Sequence, residues 1–264
     1  MKRARRAWPW VVVVALPLLG EGTGPSGRAH TPPERLREAT ELLGDVGSTA
    51  ADLDRLAIRV QALSLLVPDA WCAASLSPEE ARAAARMVAR EGASLGLHGL
   101  AAEAHQRSYG LARTESERAA SALETAHALR RDGRTEHARL AYARACREPA
   151  LEDDDLRDAQ LWLGRLAVEQ GRLREGEQLL RDVAERADDP GVSIDAYDHL
   201  ARTALLRRDL GGAAGWIEAA RVRWDDAARA HTPRGERVRR ALMRIGAIVE
   251  LRIAIFDSAR RDAR

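Results

Sequence analysis

Between residues 119 and 226 small side chains recur at matched intervals, and this recurrence constrains the chain more than any other feature. Three segments align on Ala126, Gly164 and Ala201. Three residues later come Leu129, Ala167 and Ala204, and seven later Gly133, Gly171 and Arg208. Twelve later come Ala138, Gly176 and Ala213; sixteen later the larger Tyr142, Leu180 and Ile217; nineteen later Ala145, Val183 and Ala220. Two antiparallel helices approach closely only where side chains are small, so a recurring Ala or Gly marks where paired helices cross. A bulky residue one turn on fills the space beside the crossing. The copies follow at about 38 residues, and a fourth, weaker copy is anchored on Ala85, Gly92 and Ala101.

The rest of the chain supports helices throughout. Ala, Leu, Arg and Glu are strong helix formers, while aromatic residues make up only 4%. Runs of the β-branched and aromatic type that strands prefer are scarce beyond residue 20. Thr31-Pro-Pro-Glu34 and Ser77-Pro-Glu-Glu80 each place a hydroxyl N-cap, an early Pro and a Glu at the third helical position, and Thr232-Pro233 opens a last helix similarly. The pattern predicts helices over 33–44, 50–66, 78–91, 96–112, 116–132, 135–147, 156–170, 173–187, 194–208, 211–229 and 234–260. The breaks fall at Gly, Pro and Asp clusters such as Asp132-Gly133, Gln170-Gly171 and Asp188-Asp-Pro-Gly191. Glu148-Pro-Ala-Leu-Glu-Asp-Asp-Asp155 reads as a solvated acidic connector, and Trp71, after Val67-Pro68-Asp69, as a loop residue.

The series of a small residue, a turn Gly and then small, large and small residues resembles the tetratricopeptide repeat. Leu163-Gly164, Gly171, Gly176, Leu180 and Pro190 carry the resemblance best. The first-helix Tyr or Phe of that family is replaced by Leu or Ala, and Arg208 stands where glycine is usual. The resemblance implies an all-α chain of antiparallel hairpins stacked as a solenoid, ending in a long C-terminal helix. It divides the chain into 33–115, an N-terminal helical region holding the weaker copy; 116–230, the repeats; and 231–264, a capping helix. It also implies a concave groove lined by first helices that binds a protein or peptide segment. The family's groove positions fall on His127, Arg130 and Arg131; on Leu161, Arg165 and Glu169; and on Asp198, Arg202 and Leu205. Four arginines in that set suit an acidic segment. The same positions also read as solvated helix faces with internal Arg–Asp pairs. The Lys/Asn clamp of chaperone-binding members is absent.

The first residues carry an address. Met1-Lys-Arg-Ala-Arg-Arg6 is basic, and Ala7–Leu19 is apolar but shorter than the roughly 20 residues a membrane span needs. Residues 1–24 therefore read as a secretory signal, with an uncleaved short anchor near a membrane as the alternative, and 25–32 as a flexible linker. This points to an exported protein of the bacterial periplasm or cell envelope. Basic and acidic residues nearly cancel, at 42 against 40, which argues against nucleic acid as a partner. Cys72 and Cys146 cannot form a disulfide framework; they read as buried small side chains, or as one bridge in an oxidising compartment.

The final predicted helix is apolar around much of its circumference. Leu242, Ile245, Val249 and Phe256 suffice to face the stack. Ile248, Leu251 and Ile255 extend the stripe, so this helix packs across two neighbours or forms a homodimer or partner interface. Trp162 and Trp216 read as inter-helix packing, or as interface anchors. No catalytic, phosphate-binding or metal motif is present. The acid–histidine pairs Glu124/His127 and His98/His105 with Glu103 read as surface or interface histidines. The expectation is a scaffold without cofactor or catalysis. The alternatives are a structural subunit of a membrane-associated complex, or an enzyme on a helical solenoid using Glu103, Glu124 or Glu169 as its acid.

Overall fold

The computed structural model describes residues 31–45, 52–71 and 76–227, together with Met243, Gly246 and Ala247. Segment 1–24, Cys72, the Thr232-Pro233 cap and Ile248, Leu251 and Ile255 lie outside the described residues. Among the described residues there is no strand. The helices are α1 (Pro32–Asp45), α2 (Asp52–Trp71), α3 (Pro78–Ser94), α4 (His98–Gly110), α5 (Glu115–Arg131), α6 (Thr135–Ala145), α7 (Asp153–Glu169), α8 (Leu173–Arg186), α9 (Pro190–Leu206) and α10 (Leu210–Ala227).

They belong to two compact units, residues 1–138 and 139–264. In the first, each of α1 to α4 packs on the helix that follows it; in the second, each of α7 to α9 does so, and the first helices α7 and α9 also touch. Consecutive antiparallel helices joined by tight turns are the TPR-like arrangement that the small-residue spacing predicts.

Cap chemistry sets the helix starts. The Ser77 hydroxyl accepts the Glu80 N–H at 3.2 Å, while the Ser77 N–H donates to Glu80 Oε2 at 2.9 Å. A second reciprocal box joins Thr114 and Glu117 at the start of α5. Its Thr-x-x-Glu spelling is plain in the sequence. Three boundaries differ from expectation. Trp71 closes α2 instead of sitting in a loop: Pro68 costs one backbone hydrogen bond, and the apolar run Leu63, Leu65, Leu66 and Val67 packs well enough to carry the helix past it. The acidic connector is shorter than expected, because Asp153, Asp154 and Asp155 form the first turn of α7, where carboxylates meet the positive end of the helix dipole. Helix α9 starts at Pro190, four residues before its expected start, because the Asp189 carboxylate caps it by accepting the Gly191 N–H at 2.7 Å.

Left-handed residues end the first helices. Gly96, Gly133 and Gly171 have φ of 76, 81 and 80°, and Arg208 takes the same role at 62°. The turn at Gly96 corrects the register of the weaker copy. Gly92 lies inside α3, buried, where a Cβ would sit 3.6 Å from the Ala101 N. The matching positions are therefore Ala89 for the first helix and Ala101 for the second, four residues along from the expected Ala85 in the former case. Ala89, Ala126, Gly164 and Ala201 then stand 37, 38 and 37 residues apart, all buried. In the second unit the crossing is seen directly. A Cβ on Gly176 would lie 2.7 Å from the Gly164 carbonyl oxygen, and one on Gly164 would lie 2.9 Å from Leu180 Cγ.

Each unit has its own core. In the first, Leu63, Leu66, Val88 and a set of alanines meet between α1 and α4. In the second, Leu161, Leu180, Val183, Val192 and Leu200 do so. Beyond α10, Gly246 lies against the last hairpin, with a Cβ there 3.9 Å from Ile217 Cγ2.

Candidate binding groove

In the first unit, α3 and α5 are the first helices of successive hairpins, and α4 lies behind them. The space between them is a groove of about 780 Å³. One wall is an arginine stripe, Arg82, Arg86 and Arg90, at the i, i+4, i+8 spacing that brings side chains onto one helix face. The other wall is α5, with Ser116, Glu117, Ser121 and Glu124; His105 and Ser108 of α4 form the floor.

The charges on these walls are not equivalent. Arg82 is ion-paired with Glu117. The carboxyl of Glu117 is held below the usual carboxylate range, first by the Arg113 backbone N–H and also by Arg82. Arg90 donates to Glu91 at 2.8 Å, and Arg59 lies 3.5 Å from the same buried carboxylate. Arg86 is exposed and has no ion-pair partner among the described residues. Ser121 donates to Ser108 at 3.3 Å, leaving a hydroxyl-rich floor beside this cation.

The histidines here are neutral near pH 7. Burial, then Arg131 and Arg86, push His105 down to about 4. Burial, then Arg130, Arg131 and His105, push His127 down to about 4. His127 and Arg131 continue the α5 stripe of Glu117, Ala120 and Glu124 by steps of three and four residues. The family-derived positions His127, Arg130 and Arg131 follow further along α5 and are not among the residues that line the groove; the first two are half-buried and Arg131 is exposed. The arginine stripe is visible in the sequence as i, i+4, i+8 spacing, but the family's groove positions carried onto the three downstream copies do not reach α3.

The second unit brings Arg165, Asp198 and Arg202 together on α7 and α9. Arg202 Nε donates to Asp198 Oδ2 at 2.8 Å. The carboxyl of Asp198 is pushed up by burial, against the pull of Arg202 and Arg165, and its Oδ1 is buried without a hydrogen-bond partner among the described residues. His199 beside it is pushed down to about 3 by burial, then Arg165 and Arg202. Arg165 stacks its guanidinium 3.8 Å from the centre of the Trp162 ring. Trp216 stacks on Tyr197 at 6.0 Å and packs against the core. Glu169 is exposed. Leu161 is a correction: it is 1% exposed and packs with Leu180, Val183 and Leu200, so it cannot line a groove. Leu205 is half-buried against Ala201, Ala204 and Ala213.

The acids named for an enzyme reading, Glu103, Glu124 and Glu169, are all exposed, whereas the buried carboxylates Glu91 and Asp198 are both held by arginines. Among the described residues no group of three or more His, Cys, Asp or Glu side chains is placed to hold a metal ion, and no helix is long and apolar enough to cross a membrane. Cys146 is half-buried, and burial pushes its thiol up to about 11.

No family model matches the sequence, and no curated protein matches it. Solved structures do match its fold. Two crystal structures of nearly identical TPR-like repeats from a candidate kinesin light chain of Podosopora anserina superpose with TM-scores of 0.53 at 20% identity. They cover 77% and 76% of this chain and 100% of their own. PilW, a widely conserved type IV pilus biogenesis factor, is more distant, with a TM-score of 0.47 at 18% identity over 86% of this chain and 93% of its own, and supports no statement about function. The helices, their turns and these superpositions agree: the chain has the fold of the TPR-like helical repeat proteins.

Proposed function

We propose that this chain is a binding scaffold that holds a segment of a partner protein in the groove between α3 and α5, without catalysing a reaction. The observation that carries the reading is the groove itself: about 780 Å³ of open space between the first helices of two successive hairpins, floored by hydroxyl groups. That volume falls in the range of ligand-sized clefts. The segment is acidic, because Arg86 lines the groove without an ion-pair partner among the described residues, and a guanidinium pairs best with a carboxylate through two parallel hydrogen bonds. The basic and then apolar N-terminal sequence supports a place outside the cytoplasm, in the cell envelope, and the near-balance of 42 basic against 40 acidic residues supports a protein rather than a nucleic acid as partner.

Fluorescence anisotropy with a labelled oligoglutamate peptide tests the groove. Wild type binds, Arg86→Glu loses at least tenfold in affinity, and Arg202→Glu in the second unit binds as wild type does. Equal loss in both variants, or no loss in either, removes the groove from the account.

A further inference from the structure

The side of α4 and α5 turned away from the groove carries a second cavity, of about 570 Å³, that shares no lining residue with it. On α4 the groove takes His105 and Ser108, whereas the cavity takes Glu103, Gln106, Arg107 and Gly110, which project from the opposite face of the helix. We propose that this cavity binds a small zwitterion with an apolar side chain, an aliphatic amino acid. Its carboxylate lies between Arg107 and Arg134, its ammonium on Glu103, and its side chain on Ala102, Thr125 and Leu129.

The charges on the cavity wall motivate the site. Glu103 and Arg107 stand one turn apart on α4, in the order that favours an ion pair. They form none, and neither Glu103, Arg107 nor Arg134 has an ion-pair partner among the described residues. Elsewhere arginines beside open space are taken up by carboxylates, as Arg82 is by Glu117 and Arg207 by Glu177. Arg107 Nε is moreover buried, with no hydrogen-bond partner among the described residues. A buried donor left unpaired is costly, so it calls for an acceptor from outside. The turn after α5 brings in the second cation: Gly133 takes a φ of 81°, and the Arg134 N–H donates to the Leu129 carbonyl at 3.0 Å. Two guanidiniums suit a carboxylate. Glu103 on the same wall repels a doubly charged phosphate and attracts an ammonium.

The floor fixes what the charged groups carry. Ala102, Thr125 and Leu129 are all buried, and the Thr125 hydroxyl is spent on the Ser121 carbonyl at 2.7 Å. The floor therefore offers apolar contact, which an aliphatic side chain can use. The volume lies in the range of small-ligand clefts.

Calorimetric titration of the whole protein with L-leucine tests this, beside two analogues with the same carbon skeleton. Isocaproate keeps the carboxylate and lacks the ammonium; leucinamide keeps the ammonium and lacks the carboxylate. The expected result is saturable binding of one L-leucine, with each analogue weaker by about tenfold or more, as loss of one charge-assisted interaction implies. Glu103→Gln removes the preference for L-leucine over isocaproate, and Arg134→Gln weakens L-leucine by about tenfold. Both side chains are exposed, so these variants keep the fold. NMR of the methyl groups locates the ligand, with the largest shifts at Thr125 and Leu129. Absence of saturable L-leucine binding, isocaproate binding as tightly as L-leucine, or shifts centred elsewhere would each overturn the proposal.

Discussion

The small residues at the helix crossings make a quantitative prediction in which one substitution has opposite effects at two sites. At Gly176 an alanine gains about 1 kcal/mol of helix propensity. Its Cβ, however, would lie 2.7 Å from the Gly164 carbonyl oxygen, 3.0 Å from the Val168 N and 2.5 Å from Val168 Cγ2. Two of those neighbours are backbone, so α7 and α8 must separate, and overpacking of this kind costs about 1–3 kcal/mol. Gly176→Ala is therefore destabilising by up to about 2 kcal/mol on those two contributions. At Gly215, in the middle of α10, nothing lies within 4 Å of the added carbon. Gly215→Ala keeps the propensity gain and stabilises by about 1 kcal/mol. Urea unfolding followed by circular dichroism measures both. The two variants should differ by about 1–3 kcal/mol, with Gly176→Ala the less stable. Equal stabilisation of both would refute close approach as the reason for glycine at the crossing.

Three further outcomes follow from the same structure. Arg208 holds the left-handed place that glycine fills in the other turns, so Arg208→Gly should raise stability by under about 1 kcal/mol: relief of the left-handed strain slightly exceeds the added freedom of the unfolded chain, and a loss in the same urea assay would contradict it. Ser77→Ala and Thr114→Ala each remove one half of a reciprocal cap and should each cost about 1 kcal/mol; a change near zero would show that water replaces the cap without penalty. His105, His127 and His199 are held neutral, with pKa values of about 4, 4 and 3 in the folded chain, so the stability they contribute is present above about pH 6.5 and is lost as pH falls towards those values. In acid titration His199→Gln should lose less stability than wild type between about pH 6.5 and pH 4, and parallel curves would contradict the assignment.

Much of the fold was legible because the physics behind it is local. Ser77-Pro-Glu-Glu80 spells a helix start, and Gly133 and Gly171 spell helix ends, each within one turn of sequence. What misled was ambiguity between two uses of the same residue type. Gly92 looked like the end of a first helix, yet it lies buried inside α3 against the start of α4, and Gly96 ends the helix instead. Asp153, Asp154 and Asp155 looked like a solvated connector, since a carboxylate suits both a loop and the first turn of a helix. The candidate site was less legible than the fold. The Arg82, Arg86 and Arg90 stripe is visible as spacing, but spacing does not say which arginine has an internal partner. Arg90 pairs with its own neighbour Glu91, which Arg59 of α2 also approaches, whereas Arg82 pairs with Glu117, which only the fold brings from α5 into range. Leu161 was misplaced for a similar reason: a leucine at a groove position is indistinguishable in sequence from one turned into the core.

The groove assignment is tested most directly by photo-crosslinking in the native cell, with a crosslinking amino acid at position 116 on the groove wall and, separately, at the exposed position 185 on α8. The account predicts one dominant protein adduct from position 116, absent from position 185 and lost when Arg86 is changed to Glu. Equal adducts from both positions, or a position-116 adduct that survives Arg86→Glu, would contradict it.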